Sequence, residues 1–224
     1  MATSRLSWCA AEVRRLDHDR FLTALFSPVA RREGLLALYA FNTEVARTRE
    51  AVSEPMLGHI RLQWWRDALD ELYAGNARQH PVLLGLEAPA GEGILPRAAF
   101  DVLIDAREAD LDDAPPASLA ALETYASATS GELAAMAMRL TGEAGAVPLA
   151  AARAVGTAWS LIGLMRAVAF HAQARRLFLP EDLMNDFGID RGALLDLKPT
   201  PNLDRVVRGV VGRAGSLLGE ARRL

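Results

Sequence analysis

The chain predicts an all-α fold, and three observations carry the expectation. Half of its 224 residues are hydrophobic (51%) but only 6% are aromatic, and alanine, leucine and arginine dominate, which suits packed helices better than sheet. Leu35, Tyr39, Asn42, Ala46 and Arg49 recur at helical spacing and define one stripe. Punctuation also falls where helices need it: Ser53 as N-cap with Glu54 and Pro55 in a first turn, and Gly75 able to take the left-handed conformation that ends a helix. The length fits one domain with a substantial core and also admits two small ones.

Taken in order, Asp17 to Phe26 reads as a short helix ended near Ser27-Pro28, and a long helix follows from about Ala30 to Arg49. A third runs from Glu54 to Ala74 and carries Trp64 and Trp65. Adjacent positions point about 100° apart on a helix, so at most one of the two indoles occupies the centre of a core. GNARQHP (75 to 81) makes a turn, Val82 to Leu86 is a short apolar segment, and APAGEGILP (88 to 96) is too rich in glycine and proline for a helix interior. From Arg97 to Asp112 a helix is expected to carry Asp101, Asp105, Glu108 and Asp112 on one face, either a divalent-metal site or a solvated acidic surface. Ser118 caps a helix that runs to about Leu140 and ends at Thr141-Gly142. Another spans Pro148 to about His171, and Asn202 to Leu224 forms the last, with valines and leucines on a stripe and Arg222 and Arg223 at its C-terminal end.

Charge and cysteine usage exclude several classes. A formal net charge of −3 leaves no basic surplus for a phosphate backbone, and no zinc-finger or basic-zipper spacing is present, so nucleic acid is not an expected partner. The lone Cys9 has no partner for an intramolecular disulfide and reads as a small apolar residue in a reducing compartment. Glu12, Arg14, Arg15 and Asp17 interrupt the apolar core a secretory signal requires. Arg5, Arg14 and Arg15 with Ser4 and Ser7 give a faint transit-peptide character that the early acids oppose. The longest uncharged apolar run, Ala154 to Met165, stops at Arg166, short of a bilayer span. The expectation is a soluble or peripheral protein.

Four segments occur in an informative order: ALYAF (37 to 41), RLQWWRDAL (61 to 69), YASATSG (125 to 131) and ARRLFLPEDL (174 to 183). Together they resemble the squalene/phytoene synthase family. The resemblance covers nearly everything from Asp17 onward and implies a single isoprenoid-synthase-like helical bundle over residues 1–224, without the last helices usual in the family. In the active enzymes the helix that begins with ALYAF carries a DDxxD motif, and a later helix an RDxxxD motif; both hold Mg²⁺ against an isoprenoid diphosphate. Ala46, Arg47 and Glu50 stand at the first motif here. At the second, RAVAFH keeps Arg166 but places Ala167 and His171 where the aspartates belong.

That substitution decides the expected chemistry. Ionising an allylic diphosphate needs Mg²⁺ held by hard oxygen ligands, and alanine supplies none. A unit positive charge about 4 Å from a divalent cation, at an effective dielectric of about 20, is repelled by about 8 kcal/mol before screening. Neither a catalytic residue nor a bound metal is therefore expected. His171 could ligate a metal, yet with no partner four residues on it reads better as a capping or hydrogen-bonding group. The resemblance is closest to the aspartate-free branch of the family that includes a mitochondrial respiratory complex I assembly factor. It implies a scaffold or assembly role with respiratory-complex subunits or another protein as partner, in the cytoplasm or at the matrix face of an inner membrane.

Two alternatives stay open. Tyr39, Asn42, Glu44, Arg61, Trp65, Arg66, Arg166 and Arg176 are candidates to line a pocket for a phosphorylated isoprenoid or lipid, because guanidinium groups bind phosphate without a metal. The same arginines could instead pair with Glu44, Glu50, Asp67 and Asp70 as structural ion pairs. The other alternative retains Mg²⁺-dependent prenyl transfer, with Glu44, Glu50 and the Asp101 to Asp112 face as substitute ligands.

Overall fold

The computed structural model describes residues 6–224, and every regular element among them is helical. Ser4 and Arg5, which carry part of the transit-peptide character, lie outside the described residues. The chain forms two compact units: residues up to Leu111 with Met136–Ala144, and Asp112–Ala135 with Gly145–Leu224.

The first unit opens with α1 (Trp8–Leu16), a helix that the sequence patterning does not announce. Its signal is local: the Ser7 side chain accepts from the Ala10 N–H at 3.1 Å, and Cys9, Ala10 and Val13 turn inward. Burial pushes the Cys9 thiol up to about 12, with the Glu33 carboxylate acting in the same sense, which is the behaviour of a small apolar residue. Asp17 caps α2 (His18–Ala24), and Ser27-Pro28 separates it from α3 (Val29–Ala46), much as expected.

The long helix does not continue to Arg49. Arg47 leaves the helical region at φ −93°, ψ 11°, and a single further turn, α4 (Thr48–Ala51), follows. α5 (Pro55–Tyr73) starts with Pro55 in its first turn, but its N-cap is Glu54 rather than Ser53. The residue before a proline is held out of the helical region, and Glu54 is extended at φ −135°, ψ 144°. Gly75 takes φ +81° past the other end, as predicted.

α6 (Pro81–Gly91) corrects the loop expected over 88–96: it stays helical through Pro89. Proline cannot donate to the carbonyl four residues back, so tertiary packing must offset the loss. Gly85 lies so close to α3 that a Cβ there would meet the Ala37 Cβ at 2.6 Å, and the Pro89 ring fills the space beside Gly34. α7 (Arg97–Glu108) passes into a 3-10 turn, Ala109–Leu111, and Asp112 lies beyond both. Between α3, α5 and α7, Phe41 meets Trp65 and Phe100 edge-on, with ring centroids 5.1 and 5.0 Å apart. Trp65 is 1% exposed and Trp64 is 37% exposed, so one indole fills the core and the other sits at its margin.

In the second unit, Ser118 caps α8 (Leu119–Ala126) by accepting from Ala121, as expected. The helix then widens into one π turn, Ser127–Gly131, before α9 (Glu132–Leu140), whose residues from Met136 onward count with the first unit, and ends at Gly142 with φ +107°. The π turn falls within YASATSG. Its small residues serve close approach: a Cβ on Gly156 would lie 2.5 Å from the Ser130 carbonyl, and one on Gly131 would lie 2.8 Å from Thr157 Oγ1.

α10 (Ala146–Arg166) ends five residues before the expected His171. At 21 residues it is long and apolar enough to cross a membrane by length and composition alone, which the run from Ala154 to Met165 does not suggest. Its inner face, including Leu149, Ala158 and Leu161, is buried. Three short helices follow, α11 (Val168–Gln173), α12 (Glu181–Asp186) and α13 (Arg191–Leu195). α14 (Leu203–Arg223) matches the last expected helix and packs its stripe of Val206, Val210, Ala214 and Leu217 against α10. Arg213 clamps α14 to α8 by a two-point ion pair with Glu123, which holds that carboxyl below its ordinary value.

Candidate functional site

The first unit carries a cleft of about 210 Å³ at the helix break around Arg47. Three guanidinium groups line it, from Arg15, Arg47 and Arg61, and each is already paired: Arg15 with Glu12, Arg47 with Glu50 at 3.2 Å, and Arg61 with Glu44. The cleft is thus charge-dense but internally neutralised. Both members of the Arg47–Glu50 pair are about half exposed, so the pair is screened by water and individually worth little to stability. Arg61 Nε is buried without a hydrogen-bond partner although another nitrogen of the same group holds Glu44. Asn42, one turn before Ala46, is buried with its side-chain oxygen unpartnered, and so is the Thr48 hydroxyl just after the break. Burial also raises the Tyr39 phenol, while Arg20, which lies over its ring, opposes the shift.

Other candidates are placed elsewhere in this unit. Trp65 belongs to the framework, enclosed by the rings of Phe41, Trp64 and His80, and has no surface to offer a ligand. Arg66 reaches across to α7 and holds Asp105 at 2.5 Å and Glu108 at 2.7 Å. Arg97 holds Asp101 at 2.6 Å and Asp70 at 2.9 Å. Asp112 is off the helix and accepts from the Ala114 N–H. The four acids expected on one face are therefore divided: three are occupied by arginine and the fourth lies on a different segment.

In the second unit the matching helix break falls at Ala167, with φ −98° and ψ 9°. Here the surroundings are aromatic. The His171 ring lies 4.8 Å from Phe178 and 5.8 Å from Phe170, Tyr125 lies 5.8 Å from Phe178, and the Arg176 guanidinium sits 4.9 Å over the Phe178 ring. Arg166 is exposed and makes no ion pair among the described residues.

Mg²⁺ asks for several hard oxygen donors free to turn toward one point. Among the described residues no three His, Cys, Asp or Glu side chains are so arranged. The three carboxylates that line the cleft at the first break, Glu12, Glu44 and Glu50, face arginines. The donor set present does not fit the ion.

Sequence reasoning misses Glu12 and Arg15 as walls of the cleft, because it does not anticipate α1. It also misses His80, whose ring lies 5.3 Å from Trp65, 5.6 Å from Trp64 and 6.0 Å from Trp8. His80 Nδ1 accepts from the Val82 N–H at 3.3 Å and so caps α6. Burial lowers its pKa, Arg61 lowers it further and Glu44 opposes them. The one available signal is a histidine directly before a proline that opens a helix.

Comparison with known proteins places this geometry. Residues 13–224 match the model of the squalene/phytoene synthase family. The mouse protein NADH dehydrogenase (ubiquinone) complex I, assembly factor 6 is 30% identical over 215 residues, which are 96% of this chain and 65% of the relative. The phytoene synthase of Rhodobacter capsulatus is 28% identical over 222 residues, 99% of this chain and 66% of that protein. The chain thus spans just under two thirds of the length of these relatives. Among solved structures, a dehydrosqualene synthase and the squalene synthase of Alicyclobacillus acidocaldarius each superpose with a TM-score of 0.84 at 20% identity, covering 96% of this chain and 74% and 81% of theirs. The fold is that of the helical isoprenoid synthases, and the chain belongs to the squalene/phytoene synthase family.

Proposed function

We propose that the chain is an assembly or scaffold factor of the complex I type, acting at the face of a membrane that houses a respiratory complex, and that it has lost Mg²⁺-dependent prenyl transfer. One observation carries the loss: where the family's first aspartate motif stands, Ala46 offers no donor, and Arg47 ties up Glu50, the single carboxylate left. Regaining a metal there would require breaking the Arg47–Glu50 and Arg61–Glu44 pairs and turning two guanidinium charges away from a divalent ion. Likeness to the complex I assembly factors over almost the whole chain supports the assembly role. Likeness to phytoene and presqualene diphosphate synthases keeps prenyl transfer as the reading to be beaten.

The test is incubation of purified protein with farnesyl or geranylgeranyl diphosphate and Mg²⁺. No pyrophosphate above a buffer blank is expected; robust release would end this reading. Affinity capture from membranes is expected to recover respiratory-complex subunits.

A second reading rests on the cleft itself. Its three arginines could exchange their glutamate partners for the phosphates of an isoprenoid or lipid, binding without turnover. Such binding would raise the melting temperature in thermal-shift titration with a prenyl diphosphate equally with and without EDTA.

A further inference from the structure

The cleft at the first helix break is lined by the guanidinium groups of Arg15, Arg47 and Arg61, the carboxylates of Glu12, Glu44 and Glu50, and no other ionisable side chain. It is neutral, and every charge in it is paired. That balance decides which small molecule can enter. A lone anion that takes an arginine strands the glutamate it displaces, and a lone cation strands an arginine; an unpaired charge in a part-enclosed site is the costly product of breaking an ion pair. A molecule that carries one charge of each sign replaces the bond it breaks. Its oxyanion meets the guanidinium while its ammonium meets the released carboxylate.

The three pairs are unequally placed to open. The Glu12 and Glu44 side chains are only 24% and 28% exposed, and Arg15 holds Glu12 through two nitrogens. Arg47 and Glu50 are 49% and 58% exposed and share one hydrogen bond at 3.2 Å. The most exposed pair is the cheapest to exchange. Arg61, on the same cleft, has donors in reserve: one nitrogen holds Glu44, and Nε has no acceptor. Two guanidinium forks suit a phosphate, which offers oxygens to both. The apolar lining is limited to Leu16, Ala51 and the methyl group of Thr43, and at about 210 Å³ the cleft falls short of the roughly 300 Å³ at which pockets for drug-sized ligands begin. It has no wall for a prenyl chain.

We propose that this cleft binds a small zwitterion of the phosphoethanolamine type without a metal, its phosphate on Arg47 and Arg61 and its ammonium on Glu50. The proposal rests on the second reading of the cleft given above and changes its ligand, from a phosphate with an isoprenoid tail to a phosphate with an amine. The same chemistry occurs as a free ester and as a phospholipid headgroup.

The experiment is calorimetric titration of the full chain, in EDTA, with phosphoethanolamine and with ethyl phosphate, which lacks only the amine. Phosphoethanolamine is expected to bind about tenfold more tightly or better, because one charge-assisted hydrogen bond separates the two. Glu50→Gln, at an exposed position, should still bind both and bring their ratio to within about threefold of one. Arg47→Gln should weaken both. Glycerophosphoethanolamine distinguishes the sources: binding as tight as that of phosphoethanolamine assigns the lipid headgroup, and loss of binding assigns the free ester. A parent that binds neither ester, or binds both equally, overturns the proposal, as does a ratio that Glu50→Gln leaves unchanged. A prenyl diphosphate that raises the melting temperature where phosphoethanolamine does not would overturn it and leave the second reading standing.

Discussion

The two helix breaks use nearly the same backbone and opposite chemistry. Arg47 and Ala167 each end a long helix at φ close to −95° and ψ close to 10°, and each is followed by a short helix. Around Arg47 the side chains are ions in pairs, partly exposed and lining a cleft. Around Ala167 they are rings, with one arginine laid over Phe178. The same backbone form is thus carried by two different sets of side chains. The break is therefore held by packing, through the buried Thr48 on one side and the buried Ala172 on the other, and does not depend on carboxylates at the motif.

The contrast predicts unequal responses to mutation. The largest effect should come from Gly156, where a Cβ meets the Ser130 carbonyl, a backbone atom that cannot yield. Gly156→Leu is expected to cost about 3 kcal/mol, read as an earlier denaturation midpoint. Gly58, in the first unit, would press its Cβ against the flexible end of Leu111 instead, so Gly58→Ala should cost about 1 kcal/mol. Equal costs would break the claim that the second unit is held by close backbone approach.

Phe178→Ala removes the ring shared by Tyr125, His171 and Arg176 and should cost about 2 kcal/mol, because the ring is only part-buried, with little dependence on salt. Arg61→Met should cost less than about 1 kcal/mol, and that cost should shrink as salt is added, because the Arg61–Glu44 pair is about a third exposed. A salt-insensitive loss at Arg61 would mean that its aliphatic stem matters more than its charge.

The smallest effect concerns His80. Its pKa in the fold lies below the ordinary 6.5, so the folded state favours the neutral ring that accepts from Val82. The stability this contributes is complete above about pH 6.5 and is lost as pH falls through the lowered value. His80→Asn keeps a capping acceptor without titrating. It should melt within a degree or two of the parent at about pH 7.5 and lose less than the parent on going to about pH 5.5. Identical slopes would remove His80 from any account of acid sensitivity.

Much of the fold is legible in the amino-acid sequence. Ser118, Gly75, Gly142 and the buried stripe of α14 follow from capping chemistry and helical period, which act over a few residues and can be read locally. The absence of aspartates at 46, 47, 167 and 171 is equally plain, and with it the family and the expected loss of metal chemistry. The proline within α6 is not legible, because the cost of Pro89 is offset by α6 packing on α3, with Gly85 against Ala37 and Pro89 against Gly34, and those contacts join distant parts of the chain. The breaks at Arg47 and Ala167 are hidden for the same reason, since neither residue is a helix breaker.

Composition, spacing and caps by themselves determined that the chain is helical and where most helices begin, and the resemblance to the family showed which of its aspartate positions hold other residues here. Tertiary structure alone decided which arginine meets which acid, that Trp65 is framework and Trp64 margin, and that three ion pairs share one cleft. Local rules follow from bonds along the chain, while pairing and exposure depend on which distant faces come together.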